Sequence, residues 1–526
     1  MSIVASIDVG SNAMRLAIAK VDHDKTLHSI YADREPIRLG SDVFTRSKIS
    51  KKKLNQSIDA ILRFQKSIIA NKAMVTRAVG TSALREATNQ IRFVNEIAKS
   101  TEIEIEVISS EEEARLIHLA VTSTLDLNKK MAILIDIGGG SVEISFATSR
   151  KIITSQSLPL GTVRLLNLFK QEKNSEFLFT QLINEYVSNA FKELRKEIEG
   201  QHIDFCIGTG GNLESLSKLG AELYSRAEND SITIKELEEI SDQLLSLTYK
   251  ERIEKLGLRP DRADVIVPAT IVLRSILHQS GLNKILIPNV GLKEGVLIGM
   301  IPKVYGEKET LPRDQIIESS KNLGKKYDYD EKHAYTVTSF ALKIFDSTKE
   351  LHNLNGNERT ILEAAAILHE IGKYIGRFEY PKHSYYLINA SRLIGLNTTQ
   401  KSVISNIVRY HRDLIPKIKH RSYHNLPPRY QSIVSILASI LRIADALDDN
   451  HIGNVKHINV NYVKPRLFIQ LKGKGELLVE KFGVKEKSKL FESIFNVNVI
   501  TNNAISPNKK HNKQTSEIMV TKFLGN

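Results

Sequence analysis

Two stretches of this chain repeat one chemical idea. Ile7-Asp8-Val9-Gly10-Ser11-Asn12 and Ile135-Asp136-Ile137-Gly138-Gly139-Gly140-Ser141 each set a carboxylate near the end of an apolar run and follow it with a glycine turn. Glycine after a strand lets successive backbone N–H groups face one anion with no Cβ in the way, so such a loop can cradle phosphate. A third loop, Gly208-Thr209-Gly210-Gly211-Asn212, follows another short apolar run. Any one of these alone is an ordinary turn. Three together, two with a strand-end Asp, point to phosphoryl chemistry. Ser11, Asn12, Gly138, Gly139, Gly140, Ser141, Gly208, Gly210, Gly211 and Asn212 would hold phosphoryl oxygens, while Asp8 and Asp136 would face each other across a cleft and hold Mg²⁺ through water.

Other residues are ambivalent on type and spacing. Ser110-x-x-Glu113 reads as a helix capping box, and Glu111 and Glu112 also favour the positive end of a helix, so residue types alone make Glu113 a cap. Arg85 stands in a strand-to-helix turn, where a guanidinium fork can clamp phosphoryl oxygens or simply lie on the surface. Ser141 and Glu143 share a face of an alternating strand, and a solvated strand face is the plain alternative. Toward the C-terminus, His333, His369-Glu370, His383, His411 and Asp445 are types that ligate divalent metals, although single histidines on helices are more often core or surface residues.

The elements that must position these groups alternate at first. Ser2–Val9, Met14–Val21, Ala73–Val79 and Ile103–Ile108 read as strands, with a helix over Lys51–Ile69 and another from about Glu111. From Met131 the pattern begins again: Ala132–Asp136 and Val142–Ala147 are strands around the second glycine turn, followed by a strand at Ile203–Ile207 and a helix from Leu213. Both halves open in the same way, which predicts an internal duplication. Beyond about residue 305 helix follows helix, separated by polar turns such as 353–357. From about Lys464 β-like runs appear at Leu467–Leu471 and Leu477–Val479, next to a polar Thr501–Gln514 stretch.

Composition narrows the class. A 526-residue chain with 41% hydrophobic residues exceeds one compact core and predicts two to four domains rather than disorder. The single cysteine, Cys206, excludes an internal disulfide framework and suits a reducing compartment. Asp8 and Arg15 interrupt any signal-like segment, and no apolar run of 18 residues occurs, so a soluble cytoplasmic protein without a membrane partner is expected. Residues 311–526 hold 33 Lys+Arg against 20 Asp+Glu, net +13 of the chain's +14, which suits a polyanion or merely a soluble basic surface. There is no Trp and no RNA-binding signature, so specific nucleic-acid recognition is not expected.

At this level of detail the chain resembles the exopolyphosphatase / guanosine pentaphosphate phosphohydrolase (Ppx/GppA) family, a branch of the actin, hexokinase and heat-shock chaperone superfamily. The resemblance is carried in order by Ser6–Asn12, Gly80–Asn89, Ile108–Leu116, Asp136–Glu143 and Asp261–Ile266, over about residues 1–300. Glu370-Ile371-Gly372 and Val408–Arg412 extend it to the helical domain of the long members. The resemblance implies that Glu113, the glutamate immediately before Ala-Arg-Leu, is the general base, with Asp136 and Glu143 positioning water and Mg²⁺ beside Asp8. It also implies a homodimer. Glu370 stands where the metal-dependent HD phosphohydrolases have Asp, and long members usually carry that substitution in a domain without metal activity. His333, His369, Glu370 and Asp445 are therefore expected to form a degenerate second site.

The expected architecture is α/β: duplicated actin-like (ribonuclease H-like) domains at 1–125 and 126–305, an all-α HD-like domain at 311–463 and a small C-terminal region at 464–526. The expected reaction is Mg²⁺-dependent release of terminal phosphates from inorganic polyphosphate, with guanosine pentaphosphate (pppGpp) as the alternative substrate. An actin-like ATP-dependent switch is a more distant alternative.

Overall fold

A computed structural model describes residues 2–128, 130–171, 176–197, 200–225, 231–307 and 311–503. The chain forms two compact units: Met1–Leu323 joined by Ser391–Lys401, and Gly324–Ala390 joined by the chain from Ser402 onward.

The first unit contains the duplication. Strands β1 (Ser2–Val9), β2 (Met14–Val21), β3 (Leu27–Glu35), β4 (Val75–Gly80) and β5 (Ile105–Val107) form a sheet in the order β3-β2-β1-β4-β5. Strands β6 (Ala132–Ile137), β7 (Val142–Ala147), β8 (Ile152–Leu158) and β9 (Phe205–Thr209) form a second, in the order β8-β7-β6-β9. In each, an antiparallel three-strand meander is followed by a crossover to a strand parallel to the first. This arrangement, twice over, is the actin/ribonuclease H-like fold. The duplication extends to the turns: Gly10 N donates to Ala13 O at 3.1 Å, and Gly138 N to Ser141 O at 3.0 Å. Registers match too, with Asp8 opposite Arg15 and Asp136 opposite Glu143.

Helices close the sheet faces. Lys51–Ala70 buries Ala60, Ile61, Phe64 and Ile68, an i, i+1, i+4, i+8 stripe, and Ser50 caps it by accepting from Lys53 N. Ile266–Ser280 is apolar nearly all round and lies in the core beside β6 and β7. A short antiparallel pair, β10 (Ile232–Thr233) and β11 (Lys284–Ile285), adjoins the second sheet, because Leu286, next to β11, bridges in parallel to Ile207 of β9.

The helix Ser110–Thr124 begins one residue earlier than its glutamates suggest. Its cap is Ser109, which accepts from Glu112 N at 3.3 Å. The capping box expected for Ser110 and Glu113 is thus corrected: Ser109 satisfies the exposed N–H, and the Glu113 carboxylate points elsewhere.

The second unit is built on the helices Glu331–Ser347, Gly356–Leu368 and Pro428–Ala446. It ends in a sheet of β12 (Val455–Val463), β13 (Arg466–Gly473) and β14 (Asn498–Asn503). Two sequence expectations change here. Residues 455–463, expected within the helical stretch, form β12, paired with β13 along its length. Leu477–Val479, expected as β, instead starts a helix: Leu477 takes a left-handed φ of 52° and Leu478–Lys487 turns helical behind it, burying Val484. Of the polar Thr501–Gln514 stretch, Thr501–Asn503 completes β14, and the remainder lies outside the described residues. Among the described residues no helix is long and apolar enough to cross a membrane.

Candidate active site

One cleft in the first unit gathers most of the residues picked out by type. Asp8, Ser11, Asn12, Glu113, Asp136, Gly138, Gly139, Gly140, Ser141, Gly210, Gly211 and Asn212 line it. The two glycine turns approach closely: a Cβ on Gly139 would crowd Ser11 and Asn12, and one on Gly140 would overlap Ser11 and Ser82, while one on Gly161 would overlap the Gly140 backbone. Only glycine leaves room for the loops there.

Each acid has a distinct setting. Asp8 is paired with Arg15, its cross-strand neighbour, at 2.7 Å. Asp136 Oδ1 accepts from Thr209 Oγ1 at 2.8 Å, while burial pushes its carboxyl up. Glu113 is 7% exposed and accepts from Arg85 Nη1 at 2.7 Å; Arg85 is itself anchored on Ile108 O at 3.0 Å. Burial pushes Glu113 up to about 7 despite that arginine. Glu143 lies behind it, accepting from Ser157 Oγ at 2.7 Å and standing 3.9 Å from Arg85 Nη2. Burial, reinforced by Glu113, pushes Glu143 up to about 8.

Three residues picked out by sequence do not line the cleft. Arg85 and Glu143 form a layer behind Glu113. Gly208 is inside β9, where a Cβ would overlap Leu213 and Ile285, because the strand continues through Thr209 and the turn begins at Gly210. Gly210, at φ +95°, sits against the Asp136 carboxylate.

The cleft also contains residues given no role by sequence reasoning: Arg15, Thr81, Ser82, Glu214, Arg262, Lys293 and Glu294. Arg262 matters most. It is 3% exposed, donates from Nη1 to Asn212 Oδ1 at 2.8 Å, and has no hydrogen-bond partner at Nε. Burial, with Arg15 and Arg34 nearby, pulls its guanidinium down to about 9. Gly211 makes space for it, since a Cβ there would overlap the guanidinium. Its neighbours Asp261 and Asp264 pair with Arg34 and Arg38 of the first lobe. Arg15 was legible in principle, because the glycine hairpin sets it opposite Asp8. Arg262 was not, because it meets Asn212 across 50 residues of the second lobe, which no local pattern specifies.

In the second unit, His333, His369, Glu370 and Asp445 form a buried group able to hold a divalent metal, with one ligand atom of each within 4.8 Å of the others. His411 packs edge-on against His369, with ring centroids 5.2 Å apart. His383 is not part of the group.

Duplicated actin-like lobes, with glycine turns and buried acids meeting in one cleft, place the chain in the actin/ribonuclease H-like class. The chain belongs to the Ppx/GppA phosphatase family, whose sequence profile matches residues 17–304, and the profile of that family's domain III matches residues 317–482. It is similar to the guanosine-5'-triphosphate,3'-diphosphate pyrophosphatase of Aeromonas hydrophila, 26% identical over 442 residues, which are 84% of this chain and 86% of that one. The protein of the same name from Aeromonas salmonicida is 27% identical over 414 residues, 78% of this chain and 80% of that one. Among solved structures, an exopolyphosphatase from Cytophaga hutchinsonii superposes with a TM-score of 0.54 at 25% identity, covering 59% of this chain and 99% of its own. The Aquifex aeolicus Ppx/GppA family member gives 0.50 at 25% identity, covering 58% and 98%.

Proposed function

We propose that the cleft hydrolyses a terminal phosphoanhydride bond, with Glu113 as the general base and guanosine pentaphosphate as the substrate. The observation that carries the chemistry is Glu113 itself: a buried carboxylate held by Arg85 at the edge of a glycine-lined anion cradle. Its raised pKa makes it a stronger base than an exposed glutamate. Water is attacked at one proton by Glu113 while its oxygen bonds the terminal phosphorus; the bridging P–O bond breaks and the shortened chain leaves with the electron pair. Backbone N–H groups of Gly139–Ser141, the side chains of Ser11 and Asn12, and the unpaired Arg262 Nε would hold the phosphoryl oxygens. Arg85 orients Glu113, and Glu143 with Ser157 holds Arg85 from behind.

The acids fit a Mg²⁺ ion. Asp8 and Asp136 both line the cleft; Asp8 engages Arg15 through Oδ2 and Asp136 engages Thr209 through Oδ1, so the second oxygen of each can take a cation. Asp8 and Asp136 would hold the ion, which when bound would neutralise charge on the phosphoryl oxygens, while Glu143, expected from sequence as a third ligand, stands behind Glu113 outside the cleft lining.

The choice of guanosine pentaphosphate rests on the relatives that match along both units, whose names specify that nucleotide. Inorganic polyphosphate, the first expectation from sequence, is favoured by the net +13 of residues 311–526 and by the name of the Cytophaga protein. Phosphate release from guanosine pentaphosphate and from long-chain polyphosphate, compared under identical conditions with Mg²⁺, tests the reading. A higher kcat/KM for the nucleotide supports it; a higher value for polyphosphate replaces it with the second.

A further inference from the structure

We propose that the second unit carries a transition-metal site of its own, bound by His333 Nε2, His369 Nε2, Asp445 Oδ1 and Glu370 Oε2. Sequence favoured a degenerate scaffold here; the side-chain geometry argues for a working site instead.

The two imidazoles are the first observation. His333 Nδ1 is 2.9 Å from Asp448 Oδ2, and His369 Nδ1 is 2.7 Å from the Ala366 carbonyl. Both partners are acceptors, so each Nδ1 carries a proton, and in the neutral rings each Nε2 presents a lone pair. Those Nε2 atoms face each other at 3.2 Å. Two lone pairs at that separation repel unless a metal ion or a shared proton lies between them.

Asp445 is the second, independent observation. It is 1% exposed; its Oδ2 accepts from Lys487 Nζ at 2.8 Å, but its Oδ1 has no hydrogen-bond partner. That oxygen stands 3.5 Å from His369 Nε2 and 3.7 Å from His333 Nε2. A buried carboxylate oxygen left without a donor is costly, and a metal ion removes the cost.

Glu370 completes the set. Tyr380 Oη and Lys373 Nζ donate to its Oε1, and its Oε2 lies 3.2 Å from His451 Nε2 and 3.7 Å from His333 Nε2. Its extra methylene relative to Asp therefore does not take it out of reach. Four of the six separations are 3.2 to 3.7 Å and all are within 4.8 Å, close to the about 3.3–3.6 Å between ligand atoms bonded at about 2.0–2.2 Å in tetrahedral geometry. Two imidazoles with two carboxylates favour Mn²⁺, Fe²⁺, Co²⁺ or Zn²⁺ over Mg²⁺, which prefers oxygen and water. The ligands stand at or next to the ends of three different helices, Glu331–Ser347, Gly356–Leu368 and Pro428–Ala446, so the site is rigid. Lys487 acts from outside the ligand set, on the far oxygen of Asp445.

The competing account places one shared proton between the rings, and metal binding separates the two. Full-length protein stripped with chelator is titrated with Mn²⁺, Zn²⁺ and Co²⁺ by calorimetry, and the Co²⁺ form is read by its visible absorption. We expect one saturable equivalent that persists in Asp136→Asn, where the cleft acid is neutralised. His369→Gln and Asp445→Asn should each weaken it by at least about 100-fold. The Co²⁺ spectrum of the unaltered protein should show intense low-coordinate bands, a readout that does not depend on any variant folding. No saturable binding of any of the three ions overturns the proposal in favour of the proton. Binding lost in Asp136→Asn, or kept in both ligand variants, overturns it by locating the metal elsewhere.

Discussion

Arg85 Nη1 lies 2.7 Å from Glu113 Oε2, and its Nη2 reaches toward Glu143 at 3.9 Å, so one guanidinium stands between two buried carboxylates. The arginine keeps Glu113 oriented while burial keeps it basic.

Replacing Glu113 with Gln should cut turnover by about 10²–10⁴, with KM close to that of the unaltered protein. Because Ser109 supplies the helix cap, thermal stability should not show the loss expected of a missing cap, about 1 kcal/mol. Steady-state kinetics together with a melting curve checks both; unchanged turnover would remove Glu113 from the mechanism.

The pH profile should rise on its acid side through about 7, where Glu113 loses its proton. Removing the positive charge in Arg85→Ala should displace that limb upward, since the guanidinium favours the carboxylate form. A limb left in place in this variant would dissociate Arg85 from the base.

Stability without Mg²⁺ should run the other way. Glu113 and Glu143 are raised from 4.5 to about 7 and about 8, so the folded state binds their protons more tightly than the unfolded chain. Their contribution is complete below about 4.5 and is lost as pH climbs through about 7 to 8. Melting temperatures across this range should fall less steeply in Glu143→Gln, which no longer titrates; an equal slope would contradict the linkage.

Arg262→Gln should raise KM by about 10- to 150-fold, the worth of one or two charge-assisted hydrogen bonds to a phosphoryl group. A change confined to kcat would instead give Arg262 a role in the transition state alone.

Gly161→Ala should disturb the phosphate loop from behind, because the new methyl overlaps the Gly140 backbone. Overpacking of this kind costs about 1–3 kcal/mol, read as a lower melting temperature together with weaker substrate binding. Full stability and activity would mean that the loop moves aside freely.

Local order along the chain determined much of this. A strand, an Asp and a glycine turn, repeated near residues 8 and 136, suffice to indicate duplicated lobes and a phosphate cradle, because strand periodicity and the steric needs of a tight turn are properties of neighbouring residues. Tertiary structure decided the rest. Glu113 has the spacing of a cap, and only the position of Ser109 and the arrival of Arg85 from another helix turn it toward the cleft. Arg262 enters the site because the folding of the second lobe brings it to Asn212, 50 residues away, where Gly211 leaves room for its guanidinium. His333, His369 and Asp445 are separated by tens of residues, and whether their ligand atoms meet depends on the packing of three helices that no local pattern specifies.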